Sequence, residues 1–149
     1  MVRDFEPDIF HMGGDEVNIK CWNSSNVIKD WMTAKGWNLT SASFIQLWDY
    51  FQTKAYDKLT KANNGKEIPA ILWTSGLTEE KNLKLLDPKK YIIQIWTTGY
   101  DPAIQILLKN NFRVIFSNYD ALYLDCGYAN FRYFYLFLRI QANAKLKSF

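Results

Sequence analysis

The sequence predicts an α/β fold built on a parallel sheet. Three observations carry that reading. Short apolar runs at residues 8–12, 68–73, 91–96 and 112–117 have strand length. Helical stretches lie between them, and continuous apolar strands alternating with helices indicate βα units. Each run also ends in residues that suit a site better than a plain turn.

The elements follow in order. Asp8 to Met12 (DIFHM) reads as a buried strand ending at Gly13-Gly14. Ser24 or Ser25 caps a helix through about Lys35, burying Val27, Ile28, Trp31 and Met32, with Gly36 as its stop. Ser41 opens a longer helix whose core face is Phe44, Trp48, Phe51, Ala55 and Leu59, and Asn63-Asn64-Gly65 ends it. IPAILW (68–73) is the second strand, followed by a helix around Glu79 to Leu86. YIIQIW (91–96) is the third, followed by a helix opened by Asp101-Pro102, with proline suited to the first helical position. FRVIFS (112–117) is the fourth.

Composition limits the alternatives. The 149 residues suffice for one domain with a sizeable core, and 48% hydrophobic with 22% charged residues argues against disorder. Net charge is +3 with no dense Lys/Arg block, which speaks against a nucleic-acid partner. The 17% aromatic content suits a core, and also suits stacking on sugar rings or bases. Cys21 and Cys126 are the only cysteines, and their spacing is not that of a metal site; they are free or form one long-range disulfide. Asn23-Ser24-Ser25 and Asn38-Leu39-Thr40 are glycosylation sequons, informative only if the chain is secreted. The N-terminal MVRDFEPDIF has charges where a signal peptide needs an apolar core, and no apolar segment has transmembrane length.

The strand ends carry the chemistry. The first leads to the adjacent acids Asp15 and Glu16, the second to Trp73 and the third to Trp96. The fourth leads to Asn118-Tyr119-Asp120 and then Tyr123-Leu124-Asp125. Adjacent side chains on an extended strand point to opposite faces, so the two acids either sit on a sharp turn or have different tasks. A site at the C-terminal ends of parallel strands is the rule in (β/α)₈ barrels, and acids with an aromatic box suit carbohydrate hydrolysis. Four βα units make half of such a barrel, which typically needs about 250 residues. From Ala129 the sequence changes character, with crowded aromatics from Phe131 to Phe137 and no capped element.

HMGGDEV followed by CW, IPAILWTSGLT, YIIQIWTTG and SNYDALYLDCG together resemble the β-N-acetylhexosaminidases of glycoside hydrolase family 20, most closely the insect members. GGDE alone would also fit diguanylate cyclases, but nothing else here follows their pattern. The match runs from about Phe5 to Gly127. It implies a partial TIM (β/α)₈ barrel covering strands four to seven, with residues 1–128 as a partial catalytic domain and 129–149 as a divergent tail. That tail reads as splice read-through or a gene-model error. The resemblance further implies a secreted or lysosomal location, no cofactor and no metal. Its substrates would be N-acetylglucosamine- or N-acetylgalactosamine-terminated oligosaccharides, and complete members are often dimeric.

In that family the sugar's own 2-acetamido group is the nucleophile. By resemblance, Glu16 is the general acid and then the base. Asp15 holds the acetamido N–H and stabilises the charge of the cyclic intermediate, and Tyr123 donates a hydrogen bond to the acetamido oxygen. Trp73 and Trp96 wall the acetamido pocket, with core packing as the plainer alternative. Asp125 binds a sugar hydroxyl, or else caps a loop. His11 is a hydrogen-bonded structural residue beside the site, and Trp22, Trp31, Trp37 and Trp48 are packing residues. Cys21 and Cys126 form disulfides in the family, but with partners this sequence does not contain, so both are expected to be unpaired. A chain with so few strands is expected to show little activity. A non-catalytic sugar-binding remnant, or a product without function, is the competing reading.

Overall fold

A computed structural model describes residues 6–122. Tyr123, Asp125, Cys126 and the tail from Ala129 lie outside the described residues. Four strands, β1 (Phe10–Gly13), β2 (Ala70–Trp73), β3 (Tyr91–Ile95) and β4 (Arg113–Phe116), form one sheet in the order β1-β2-β3-β4. Every neighbouring pair is parallel. The strands are therefore adjacent in sequence order, as right-handed βα crossovers produce.

The helices are α1 (Ile19–Ser24), α2 (Asn26–Ala34), α3 (Ser41–Ala62), α4 (Ala103–Lys109) and α5 (Tyr119–Leu122). The core lies between one face of the sheet and these connections. Ala70, Leu72, Tyr91, Ile93 and Ile95 supply the sheet side, while Trp48, Tyr56, Leu59, Leu77, Leu83 and Leu107 close over it. The central strands are the buried ones. β1 and β4 hold no fully buried residue, because each is paired on one side only among the described residues.

Several expectations are corrected. The helix expected from Ser24 or Ser25 to about Lys35 forms as α2, with Ser25 at its N-cap position in extended backbone (φ −85, ψ 115) but making no side-chain capping bond; the short helix α1 just before it is not among the expected elements. Asn18 opens α1, its side chain accepting from the Cys21 N–H. Of the four residues expected to be buried on α2 only Met32 is; Val27 is 80% exposed. Gly36 does end α2. Its φ of +72 lets the Gly36 N–H reach the Thr33 carbonyl and the Trp37 N–H reach that of Met32, a Schellman closure.

α3 opens at Ser41 as expected, and Thr40 caps it with Oγ1 accepting from the Ser43 N–H. Its buried line is Phe44, Trp48, Gln52, Tyr56 and Leu59. Phe51, expected inside, is 63% exposed. Polar residues displace it because they are satisfied there. Tyr56 Oη donates to the Ile68 carbonyl at 3.0 Å, and Gln52 Nε2 donates to Met12 Sδ at 3.6 Å.

The expected helix over Glu79–Leu86 is two short 3₁₀ segments, Gly76–Thr78 and Glu80–Leu85. Side chains take over the backbone bonding. Ser75 Oγ accepts from Leu77 N–H, Thr78 Oγ1 accepts from Ser75 N–H at 2.8 Å, and Asn82 Nδ2 donates to the Gly76 carbonyl at 2.7 Å. Such local bonds compete with an α-helical ladder, and Asp87-Pro88 leaves no room to recover it. The helix at Asp101-Pro102 forms as expected, with Asp101 Oδ1 accepting from Ala103 N–H at 2.8 Å.

Candidate active site

Because the four strands are parallel and in register, their C-terminal ends share one edge, and the candidate residues are delivered there. β1 reaches it through a bulge, where the pairing steps from His11 to Gly13 against β2. Gly13 and Gly14 then both adopt positive φ, +69 and +78, which residues with a Cβ resist. The backbone turns sharply and sends Asp15 and Glu16 past the strand end. A Cβ at position 14 would meet Gln52 Oε1 and Leu72 Cδ2 at 3.5 Å, an ordinary contact, so it is the backbone conformation and not crowding that favours glycine there.

Asp15, Glu16, Trp73 and Trp96 line one small cleft of about 260 Å³. Both acids are exposed, and both indoles are half-buried. On their other side the acids border a wider hollow of about 740 Å³ with Lys20, Trp48, Gly76 and Glu79 on its walls. The pair therefore stands between a narrow aromatic cleft and a broader, more polar one.

Both tryptophans are held in place. Trp96 Nε1 donates to the Thr74 carbonyl at 2.8 Å, and the Thr74 N–H in turn donates to the Gln94 carbonyl. Trp73 packs against His11 with ring centroids 4.9 Å apart. His11 Nδ1 accepts from the Gly13 N–H at 3.0 Å, so its other nitrogen carries the hydrogen and donates to Gln94 Oε1 at 3.2 Å. Gln94 Nε2 continues to Ser117 Oγ, which donates to the Ile95 carbonyl. His11 is thus hydrogen-bonded beside the cleft.

The loops after β3 and β4 are tied to each other. Asp120 accepts from the Gly99 N–H through both oxygens, at 3.2 and 3.0 Å, and Asn118 Nδ2 donates to the Thr97 carbonyl at 2.9 Å. These acceptors fix the chain just before Tyr123 and Asp125, which lie outside the described residues. Gln94, Ser117, Thr74 and Asp120 were not among the expected site residues. Gln94 left a trace in the sequence as the one polar residue inside YIIQIW; the others carry no pattern of their own.

Of the remaining tryptophans, Trp48 is buried, Trp22 and Trp37 are half-buried, and Trp31 is at the surface. Cys21 is exposed and forms no disulfide among the described residues. No helix among the described residues is long and apolar enough to cross a membrane.

Fold and cleft together define an α/β protein whose strand ends gather carboxylates between indoles, a lining suited to a sugar ring. Residues 1–145 match the glycosyl hydrolase family 20 catalytic domain. The chain is 55% identical over 130 residues to a chitooligosaccharidolytic β-N-acetylglucosaminidase of Bombyx mori, covering 86% of this chain and 22% of that protein. It is 57% identical over 122 residues to the protein of the same name from Ostrinia furnacalis, covering 81% and 20%. A β-hexosaminidase subunit B1 of Dictyostelium discoideum is 36% identical over 124 residues, covering 83% and 20%. The chain belongs to glycosyl hydrolase family 20. It spans about a fifth of the length of each of these relatives.

Proposed function

We propose that the chain carries the acid-bearing part of a β-N-acetylhexosaminidase site, within a (β/α)₈ barrel of which β1 to β4 are strands four to seven. Residues 1–128 would carry the strand and site segments of that domain, within a family match that extends to residue 145. The substrates are oligosaccharides ending in β-linked N-acetylglucosamine or N-acetylgalactosamine, met in a secreted or lysosomal setting. The observation that carries this reading is the single cleft shared by Asp15, Glu16, Trp73 and Trp96.

The chemistry follows from the residue types. Glu16 protonates the glycosidic oxygen as the bond to the anomeric carbon breaks, and the substrate's acetamido oxygen attacks that carbon from the opposite face. Asp15 accepts from the acetamido N–H and offsets the positive charge of the resulting oxazolinium ring. Tyr123 donates to the acetamido oxygen and aligns it for attack. Glu16, now a carboxylate, takes a proton from water as the water adds to the anomeric carbon, which returns the sugar with its configuration retained. Trp73 and Trp96 stack on the acetamido arm and keep water from it, and Asp125 binds a ring hydroxyl. No cofactor or metal takes part in these steps.

The test is a chimaera in which this segment replaces its counterpart in the Bombyx mori relative. Glu16→Gln should lower turnover roughly 10²- to 10⁴-fold, the usual contribution of a positioned acid. Asp15→Asn should slow turnover while unreactive sugars still bind. Near-normal turnover with Gln at position 16 would refute the assignment.

The exposure of both acids favours a second reading, sugar binding without turnover, since a general acid works best where water is excluded. Calorimetric titration with N-acetylglucosamine beside an activity assay separates the two. Binding without hydrolysis in the chimaera supports the second.

A further inference from the structure

We propose that His11 is a positioning residue for the acid pair: its unprotonated Nδ1 holds the Gly13 N–H and so fixes the turn that carries Asp15 and Glu16, and protonation of the ring releases that turn. The role rests on the hydrolase reading of the two acids. The turn needs a fixing contact. Gly13 and Gly14 follow one another at φ +69 and +78, and glycine has more backbone freedom to lose than any other residue. β1 is also irregular there, since its register against β2 steps from His11 to Gly13 and leaves Met12 out. Nδ1 of His11 accepts from the Gly13 N–H at 3.0 Å and closes over that step. Among the described residues the side chains of Asp15 and Glu16 have no hydrogen bond or ion pair of their own, so their placement depends on the backbone behind them.

The protons of the network can be placed from both ends. The Ile95 carbonyl only accepts, so Ser117 Oγ donates to it at 2.8 Å and must accept from Gln94 Nε2 at 3.0 Å. Gln94 Oε1 then faces His11 and accepts from Nε2 at 3.2 Å. At the other end the Gly13 N–H only donates, which requires a lone pair on Nδ1. Both ends demand the same neutral tautomer. A second proton on the ring would sit on Nδ1 and set two donors against each other, while the Nε2 bond to Gln94 survives. Protonation therefore breaks the bond to the turn and spares the bond to the sheet.

Imidazole is the side chain that ordinarily changes charge between about pH 5 and 8. Across the sheet the ring meets Trp73 on β2 and Gln94 on β3, and neither titrates. On its own segment the titratable groups are Asp8, paired with Lys66 at 3.4 Å, and then Asp15 and Glu16 beyond the turn. Turnover should therefore fall on the acid side as the ring gains its proton, although acid by itself favours the protonated Glu16 that serves the leaving group.

The test uses the chimaera with the Bombyx mori relative and two substitutions that divide the contacts of the imidazole. His11→Phe keeps a ring against Trp73 and removes the acceptor. His11→Asn removes the ring and keeps an acceptor, because an asparagine oxygen reaches the N–H two residues on. His11→Phe should lower kcat roughly 10- to 100-fold with little change in KM, the order that a misplaced catalytic group costs. His11→Asn should recover most of that kcat, raise KM, and move the acid-side fall down toward the range where carboxylates titrate. Equal losses of kcat in both variants, or an acid-side fall that His11→Asn leaves in place, would overturn the proposal. Thermal midpoints show whether each variant is folded, and where His11→Phe is not, the pH profile of His11→Asn carries the test.

Crystals of the unsubstituted chimaera held at about pH 4.5 and about pH 8, either side of the ordinary imidazole range, give a readout that needs no turnover. The Nδ1 contact to Gly13 should be kept at the higher pH and opened at the lower, with both acids displaced. A turn unchanged at the lower pH would equally overturn the role of His11. Absence of turnover in the unsubstituted chimaera would sink the hydrolase reading instead, and the crystals would then decide by themselves whether His11 holds the turn.

Discussion

His11 on β1 and Gln94 on β3 are joined by a 3.2 Å hydrogen bond across the intervening strand. The bond passes beside Trp73, which packs on the imidazole, and continues through Gln94 to Ser117 beyond β4. Four strands are thus stitched together by side chains directly under the cleft. Replacing Gln94 by Leu removes both bonds, but His11 is exposed to water and Ser117 Oγ keeps its bond to the Ile95 carbonyl, so the cost should be about 0.5–1.5 kcal/mol. The denaturation midpoint measures the cost. Trp73 fluorescence should change with it, and unchanged values would mean that the network does not hold the ring.

Gly76 is the closest approach of the β2 loop to α3. A Cβ at that position would lie 3.0 Å from Trp48 Cζ3 and 3.6 Å from Ile45 Cδ1. Trp48 is buried and cannot swing outward, so Gly76→Ala must displace either the indole or the loop. Overpacking of this kind typically costs about 1–3 kcal/mol. Because Gly76, Ile45 and Trp48 wall the wider hollow beside Glu16, the same substitution should reshape that hollow. A thermal scan together with a crystal structure of the variant checks both effects.

Tyr91 makes stability fall at alkaline pH. Burial pushes its phenol from 10.0 up to about 12. The folded state therefore keeps its proton where the unfolded chain has lost it. The stability tied to this group is full below pH 10, declines as pH rises, and is gone once pH passes about 12. Tyr91→Phe should flatten that decline. Urea titrations of both forms at several pH values between 8 and 12 decide it, and parallel curves would contradict the assignment.

The polypeptide of 149 residues expressed by itself should be weakly stable and show little hexosaminidase turnover. Among the described residues β1 and β4 are edge strands, and unpaired edges invite association. Phe116 and Leu122 add exposed apolar surface at the β4 side. Sedimentation and a chromogenic N-acetylglucosaminide assay are the measurements. A stable monomer turning over like a complete family enzyme would show that these strands need no further partners.

The sequence by itself determined the order of strands, their parallel sense and the residues that end them. Apolar runs of strand length separated by helical stretches allow few other arrangements, and the glycines before Asp15 announced the turn that both now make at positive φ. Helix ends were legible where backbone chemistry dictates them, at Gly36, at Asn63-Gly65 and at Asp101-Pro102. Tertiary structure decided the rest. Phe51 has the pattern of a core residue but faces outward, because the sheet offers α3 one face and Gln52 and Tyr56 find hydrogen-bond partners on it; Val27 on α2 is exposed as well. The helix expected at Glu79 gave way to 3₁₀ turns because Ser75, Thr78 and Asn82 satisfy the backbone locally. The grouping of Asp15, Glu16, Trp73 and Trp96 around one cleft lies between these cases. The residues could be named from the strand ends, but a common cleft depends on register across three strands, and the His11–Gln94 bond that braces it joins residues 83 positions apart.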